Sequence, residues 1–248
     1  MRLPSAIDSI RQTNLWQKLK DWRYLHRHQA LREFYTQFVQ PGSLVFDLGA
    51  NVGHYALIFR SLGAQVVAVE PQASLVAGLR GRFRGHQGMQ IVQAAVGAKN
   101  TTAVLHKAPD QSEIASLRTD IGERSRFAAS HHFSETETVP VITLDSLLQQ
   151  FGRPDFCKID VEGFECEVLT GLSQPLPLLS LEFNREFWNE TKRCLARLAE
   201  LGDDRFNYTL GEFPALAGSD WMKADALISE LEARKDPLLW GDLYARLA

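Results

Sequence analysis

A chain of 248 residues with 45% hydrophobic and 10% aromatic content carries enough apolar material for one large α/β domain with appended elements; two full domains would be cramped. With 27 basic and 30 acidic residues the net charge is −3 and the pI about 6.2, which excludes a general attraction to nucleic acid or to an anionic membrane. Cys157, Cys166 and Cys194 show neither CxxC nor Cys/His spacing, so neither a disulfide framework nor a zinc site is expected, and all three are read as reduced.

The first residues, MRLPSAIDSIRQTN, contain no apolar segment of about 7 to 15 residues, and nowhere do about 18 apolar residues run together. A soluble, cytoplasmic protein without membrane insertion is expected. From about 8 to 39, Ile10, Leu15, Trp16, Leu19, Trp22, Leu25, Leu31, Phe34 and Phe38 recur at helical spacing, which predicts one or two leading helices. After PGS at 41–43 the pattern alternates: SLVFDL as strand, HYALIFRSLG as helix, QVVAVE as strand, SLVAGLRGRF as helix, MQIVQAAVG as strand. Strands joined by crossover helices imply a doubly wound, mostly parallel sheet. Arg80, Arg82 and Arg84 near the second of these helices read as a solvated face.

Between 101 and 143 the pattern loosens. TTAVLHKA and TVPVITL suit short strands in antiparallel pairing, and DQSEIASLRTDIGERSRFAASHHFSETE between them reads as a long polar loop, a candidate lid over 108–137. The alternation then resumes with LDSLLQQFG as helix, DFCKIDV as strand, GFECEVLTGL as helix and PLLSLEF as strand. TKRCLARLAELG (helix), RFNYTLG (strand) and helix-like segments around 223–234 complete the chain.

Chemistry enters at LVFDLGANVG. The first strand–turn–helix of an open α/β sheet touches the ligand, and a dinucleotide fold places GxGxxG there for a pyrophosphate. Here the spacing is GxxxG, Gly49 to Gly53, with Asn51 between them and Asp47 at the strand end. An anion about 4 Å from Asp47 would be repelled by about 1 to 4 kcal/mol, whereas a cation would be favoured. Glu70 ends the second strand about 20 residues after Gly49, where nucleoside-binding folds put a carboxylate for the ribose hydroxyls. S-adenosylmethionine, with an ammonium, a sulfonium and no phosphate, matches this set.

DLGANVGHYA, VVAVEP, AAVG, VPVITLDSLL and KIDVEGFE, in this order, resemble the FkbM family of S-adenosylmethionine-dependent methyltransferases over about residues 40 to 185, most specifically in TLDSLL and KIDVEGFE. The resemblance implies a class I, Rossmann-like, doubly wound sheet; residues 1–40, an N-terminal helical extension by their spacing, and the tail after about 200 carry no match to it, and 41–248 is read as the methyltransferase domain. It also implies an oxygen acceptor, a hydroxyl of a sugar, glycan or other small natural product, with S-adenosyl-L-methionine as donor. Asp47, Gly49, Asn51 and Gly53 match the donor loop, Glu70 the ribose carboxylate, and Ala94, Ala95 and Val96 the adenine border, although core packing accounts equally well for Ala95 and Val96.

KIDVEGFE delivers Asp160 and Glu162, which would share a face on an extended chain and could both look into the cleft. A base that takes a hydroxyl proton during attack contributes roughly 100- to 10,000-fold. The bland alternative makes Asp160 a helix cap with Glu162 in the first turn. Glu182, ending the next strand, is expected beside the same cleft, where it could bind acceptor hydroxyls or complete an acidic metal site with Asp160, hydrogen bonds to hydroxyls explaining it just as well. His131 and His132 are a further possible base, or a surface pair without function, and Asp145 reads as an N-cap. Rival readings are a NAD-dependent oxidoreductase, a nucleoside-binding module without activity, and a protein or nucleic-acid methyltransferase. Asp47 and the absence of a Tyr-xxx-Lys pair count against the first, Asp160 with Glu162 against the second, and the lack of an NPPY-like run and the overall charge against the third.

Overall fold

The computed structural model describes residues 28–108, 111–118, 134–211 and 213–247. A leading helix, α1, covers residues 28–35, and the earlier part of the expected extension lies outside the described residues. The expected alternation follows: β1 (Leu44–Leu48), α2 (His54–Ser61), β2 (Gln65–Glu70), α3 (Ala73–Arg82) and β3 (Met89–Gln93). Next come β4 (Ala95–Val96), β5 (Thr101–Ala108), β6 (Gln111–Ser116), β7 (Glu135–Ile142) and α4 (Leu144–Phe151). The remainder is β8 (Phe156–Ile159), α5 (Glu165–Thr170), β9 (Leu178–Asn184), a 3₁₀ turn, α6 (Trp188–Leu201), β10 (Asp203–Tyr208), α7 (Ala224–Ala233) and β11 (Trp240–Leu247).

The main sheet has seven strands in the order β10-β11-β9-β8-β1-β2-β3, all parallel except β11, which runs antiparallel between β9 and β10. This is a doubly wound, mostly parallel α/β arrangement, as expected. Because both faces are covered, the strands are near-continuous apolar runs whose alternate residues feed two cores. Phe46, Leu48, Ile159, Leu179 and Leu181 pack with α4, α5, α6 and α7 on one face. Val45, Val66, Ala68 and Phe156 pack with α1, α2 and α3 on the other, where Phe34 and Tyr35 of α1 are buried.

Three local expectations are corrected. MQIVQAAVG is not one strand: β3 ends at Gln93, and Ala95–Val96 join a second sheet of order β4-β7-β5-β6. The segment read as an unbroken loop contains β6, paired antiparallel with β5. The helix at TLDSLL is capped by Thr143, whose hydroxyl accepts from the Ser146 amide at 3.1 Å, while Asp145 sits in the first turn and accepts from the Ser173 amide.

Candidate active site

Chain order in the main sheet reverses between β1 and β8: the chain proceeds from β1 to β2 and β3 on one side, then returns to β8 and β9 on the other. Ligand crevices form at such a point, beyond the carboxyl ends of the strands. A cleft with room for about 180 Å³ of water centres opens there, floored by the ends of β1, β2 and β8 and roofed by the second sheet and the residue after it through Leu105, Ala115, Ser116 and Leu117. Its ionisable lining is Glu70, Asp160, Glu162 and His54, with Tyr55 beside them; among the described lining residues there is no lysine or arginine.

The loop after β1 is shaped by backbone crowding. Gly49 has φ +80°, and a Cβ there would lie 1.8 Å from the Asp160 carbonyl oxygen. Its glycine character thus lets β1 and β8 deliver their ends side by side, with the Asp160 amide donating to the Leu48 carbonyl at 3.0 Å. Gly53 answers to α3: a Cβ would meet Leu79 and Phe83 at 2.7 and 2.9 Å. Asn51 takes a left-handed conformation, φ 52°, which turns its amide onto Glu70 Oε2 at 3.0 Å.

Glu70 is 4% exposed, and its other oxygen accepts from the Gln72 amide at 2.9 Å. Burial outweighs these two hydrogen bonds and pushes its carboxyl up to about 7. Asp47, 1% exposed, does not line the cleft but lies beneath the loop. It accepts from the Ala56 amide, its Oδ2 has no hydrogen-bond partner among the described residues, and burial, opposed by the Lys158 ammonium, raises it to about 6. Ala95 lines the cleft with Ala94 and Val96.

Asp160 and Glu162 both line the cleft, but a turn rather than an extended chain puts them there: Glu162 has φ 53° and Gly163 φ 89°. The reading of Asp160 as a helix cap is corrected, since α5 starts only at Glu165. The turn is held from both sides. Glu165 Oε1 accepts from the Val161 and Gly163 amides at 3.2 and 3.1 Å, and burial pushes its carboxyl up to about 7. Ser116 donates to the Glu162 carbonyl at 2.8 Å, and Arg118, packed on the Phe187 ring at 4.6 Å, donates to the Gly163 carbonyl at 3.3 Å. Asp160 Oδ2 lies 2.6 Å from Lys158 Nζ. Lys158 and Glu165 were not singled out from the sequence; the available signal was a lysine inside the buried run FCKI and a second acid following Glu162.

Glu182 borders a smaller neighbouring cleft with Cys166, Glu190 and Cys194. His131 and His132 lie outside the described residues, as does much of the segment read as a lid. All three cysteines are buried and free. An acidic cleft with a nucleoside-type carboxylate, an orphaned buried carboxyl oxygen under its loop and no lysine or arginine among its described lining residues fits a cationic nucleoside. It does not fit a pyrophosphate.

Residues 47–205, well over half of the chain, match the model of the methyltransferase FkbM domain. No curated protein matches the chain in sequence. Similar solved structures include a precorrin-6y C5,15-methyltransferase from Geobacter metallireducens, at 10% identity over 90% of this chain and 87% of that one, TM-score 0.45. A TehB-like S-adenosylmethionine-dependent methyltransferase from Corynebacterium glutamicum has 12% identity over 94% and 97%, TM-score 0.44. An rRNA methylase from Streptococcus thermophilus has 12% identity over 89% and 94%, TM-score 0.41.

Proposed function

The chain belongs to the FkbM family of S-adenosylmethionine-dependent methyltransferases, and from that premise we propose that it methylates a hydroxyl oxygen of a sugar, glycan or other small natural product. The observation that carries this reading is the cleft lining: three carboxylates and one imidazole, without lysine or arginine among the described residues. Such a lining attracts a cationic donor and hydrogen-bonds a neutral polyhydroxyl acceptor, whereas a nucleic-acid backbone or a nicotinamide pyrophosphate would be repelled. No helix among the described residues is long and apolar enough to cross a membrane; a cytoplasmic enzyme is part of the proposal.

When bound, S-adenosylmethionine supplies an electrophilic methyl group on a sulfonium. Glu70 accepts the ribose hydroxyls and Asp47, under the loop, favours the ammonium side. Gly49, Asn51 and Gly53 set the backbone course of that loop, and Ala95 borders the adenine. Asp160, its Oδ2 already engaged by Lys158 at 2.6 Å, orients the acceptor hydroxyl. Glu162, on the far side of the turn, takes the hydroxyl proton as the oxygen attacks. Alignment supplies much of the rate in such an in-line displacement, roughly 7 to 11 kcal/mol for well-oriented reactants, so the turn braced by Glu165, Ser116 and Arg118 matters as much as the base. Glu182 lines the smaller cleft and not the main one, and its part is to bind acceptor hydroxyls remote from the reacting oxygen.

Calorimetric titration tests the donor assignment: the protein is expected to bind S-adenosylmethionine and not NAD, and the reverse result would end this reading. Release of S-adenosylhomocysteine is then measured over a panel of glycosides, phenols and rRNA fragments, with turnover expected on hydroxyl-bearing small molecules. With an accepted substrate, Glu162→Gln should lower methyl transfer at least ~100-fold while donor affinity stays near wild type. An unchanged rate would move the base elsewhere.

A further inference from the structure

Lys158 is 1% exposed in the middle of a parallel sheet, a place where an ammonium is costly unless paired. Its register partners are Asp47 on β1 and Ser180 on β9, and Ser180 is in turn opposite Tyr244 on β11, so one polar row crosses four strands of an otherwise apolar face. From that row Nζ reaches Asp160 Oδ2 at 2.6 Å and lies 4.2 Å from the centroid of the Tyr55 ring. The groups that act on its charge are Asp160 (after β8), Tyr55 (α2), Asp242 (β11) and Tyr35 (α1); Asp47 on β1 feels Lys158 in turn, and Tyr244 on β11 feels Asp242. Glu182 on β9 is in register with Asp242, and Glu165 on α5 feels the charge of Asp160. Burial works against the Lys158 charge, but Asp160 and the surrounding acids outweigh it and hold the ammonium well above its ordinary range.

Stability alone does not explain this pair, since exchanging a buried ion pair for apolar residues of similar volume is often neutral or stabilising. An apolar residue at 158 would lack two effects of the ammonium. It would leave the Asp160 carboxylate without an anchor at the lip of the cleft, and Asp47 and Asp242 without the positive charge that acts on both. Asp47 and Asp242 are both raised to about 6 by burial, and in both cases Lys158 opposes the rise.

We propose that Lys158 is a positioning residue for donor binding: its ammonium, 2.6 Å from Asp160 Oδ2, pins that carboxylate at the cleft edge, where it faces a cationic ligand. The proposal rests on the donor assignment made above. It predicts a pH signature that a packing role would not produce. Without the ammonium, Asp47 under the donor loop and Asp242 behind it on β11 release their protons only at higher pH, so donor affinity at neutral pH falls and returns on alkalinisation.

The test is calorimetric titration of the full chain with S-adenosylmethionine from pH 6 to pH 9. Lys158→Met is expected to bind at least ~10-fold more weakly than wild type at pH 7 and to recover toward pH 9, the acid limb moving by about one pH unit or more. Lys158→Arg, which keeps the charge, is expected to keep the wild-type limb. Should Lys158→Met fail to fold, Lys158→Gln, which removes the charge but keeps a polar side chain and leaves Asp160 in place, carries the same expectation. Profiles of the variants parallel to wild type would overturn the role of Lys158 while leaving the donor assignment intact. Absence of binding by wild type at every pH would overturn both.

Discussion

Glu70 shows how one side chain ties the loop, the donor and pH together. Two backbone amides hold its oxygens in place, yet burial leaves its carboxyl titrating at about 7. If the ionised form accepts the ribose hydroxyls, affinity for S-adenosylmethionine should fall as pH drops below about 7, approaching tenfold per unit. In Glu70→Ala binding should be weaker throughout, and the remaining acid limb should lie lower, near the value of about 6 set by Asp47. Titration calorimetry at several pH values checks both; a flat wild-type profile between pH 5.5 and 8 would remove Glu70 from the donor site. Gly49 makes the opposite kind of claim, one about backbone alone. An alanine methyl 1.8 Å from the Asp160 carbonyl cannot be accommodated by a side-chain shift. Gly49→Ala should therefore cost at least ~3 kcal/mol of stability, read as a fall in thermal midpoint, before any effect on ligand is asked about.

At the level of elements, α3 carries a glycine of a different kind. Gly78 sits mid-helix with nothing within 4 Å of where a Cβ would lie, so Gly78→Ala should stabilise by ~0.5–1 kcal/mol. A thermal midpoint that fails to rise would mean that this helix gains nothing from added propensity. The same contrast separates what was legible in the sequence from what was not. β1, β2, α2 and β8 were legible because buried parallel strands and amphipathic helices write their periods locally, and the positions of Glu70 and Asp160 at the cleft followed because Glu70 closes β2 and Asp160 directly follows β8. β11 was not: WGDLYARL follows a helix and a short loop, and nothing local says that the last strand inserts antiparallel between β9 and β10. β6 was hidden by its polar composition, and β4 by its length of two residues, too short for any alternation. Lys158 and Glu165 escaped because their meaning lies in register and in a turn. Lys158 matters through its neighbours on β1 and β11, and Glu165 through the amides of Val161 and Gly163. The αL turn at Glu162 brings both acids to the cleft by a route that strand periodicity does not describe.

Across the whole molecule, the acids gathered around the cleft give the fold an unusual dependence on pH. Burial raises Asp47 and Asp242 to about 6 and Glu70 and Glu165 to about 7, all above their ordinary values. Between about pH 4 and pH 7 the folded chain therefore holds protons that the unfolded chain has released. Stability from these groups is fully present below their unfolded range and is lost as pH rises through 6 to 7. Lys158, held well above its ordinary range, stays charged throughout this window and does not alter the sign. The ligand-free protein should accordingly melt higher at pH 5 than at pH 8, by about 5 °C or more for a chain of this size. Saturating S-adenosylmethionine should narrow that gap, because a cationic ligand binds the ionised cleft more tightly and returns stability at the alkaline end by mass action. Thermal denaturation at pH 5, 6, 7 and 8, with and without the donor, measures both trends. A free protein that melts higher at pH 8 than at pH 5 would mean that these carboxyls are better solvated or paired than their burial indicates, and that the acidic floor is maintained without cost to the fold.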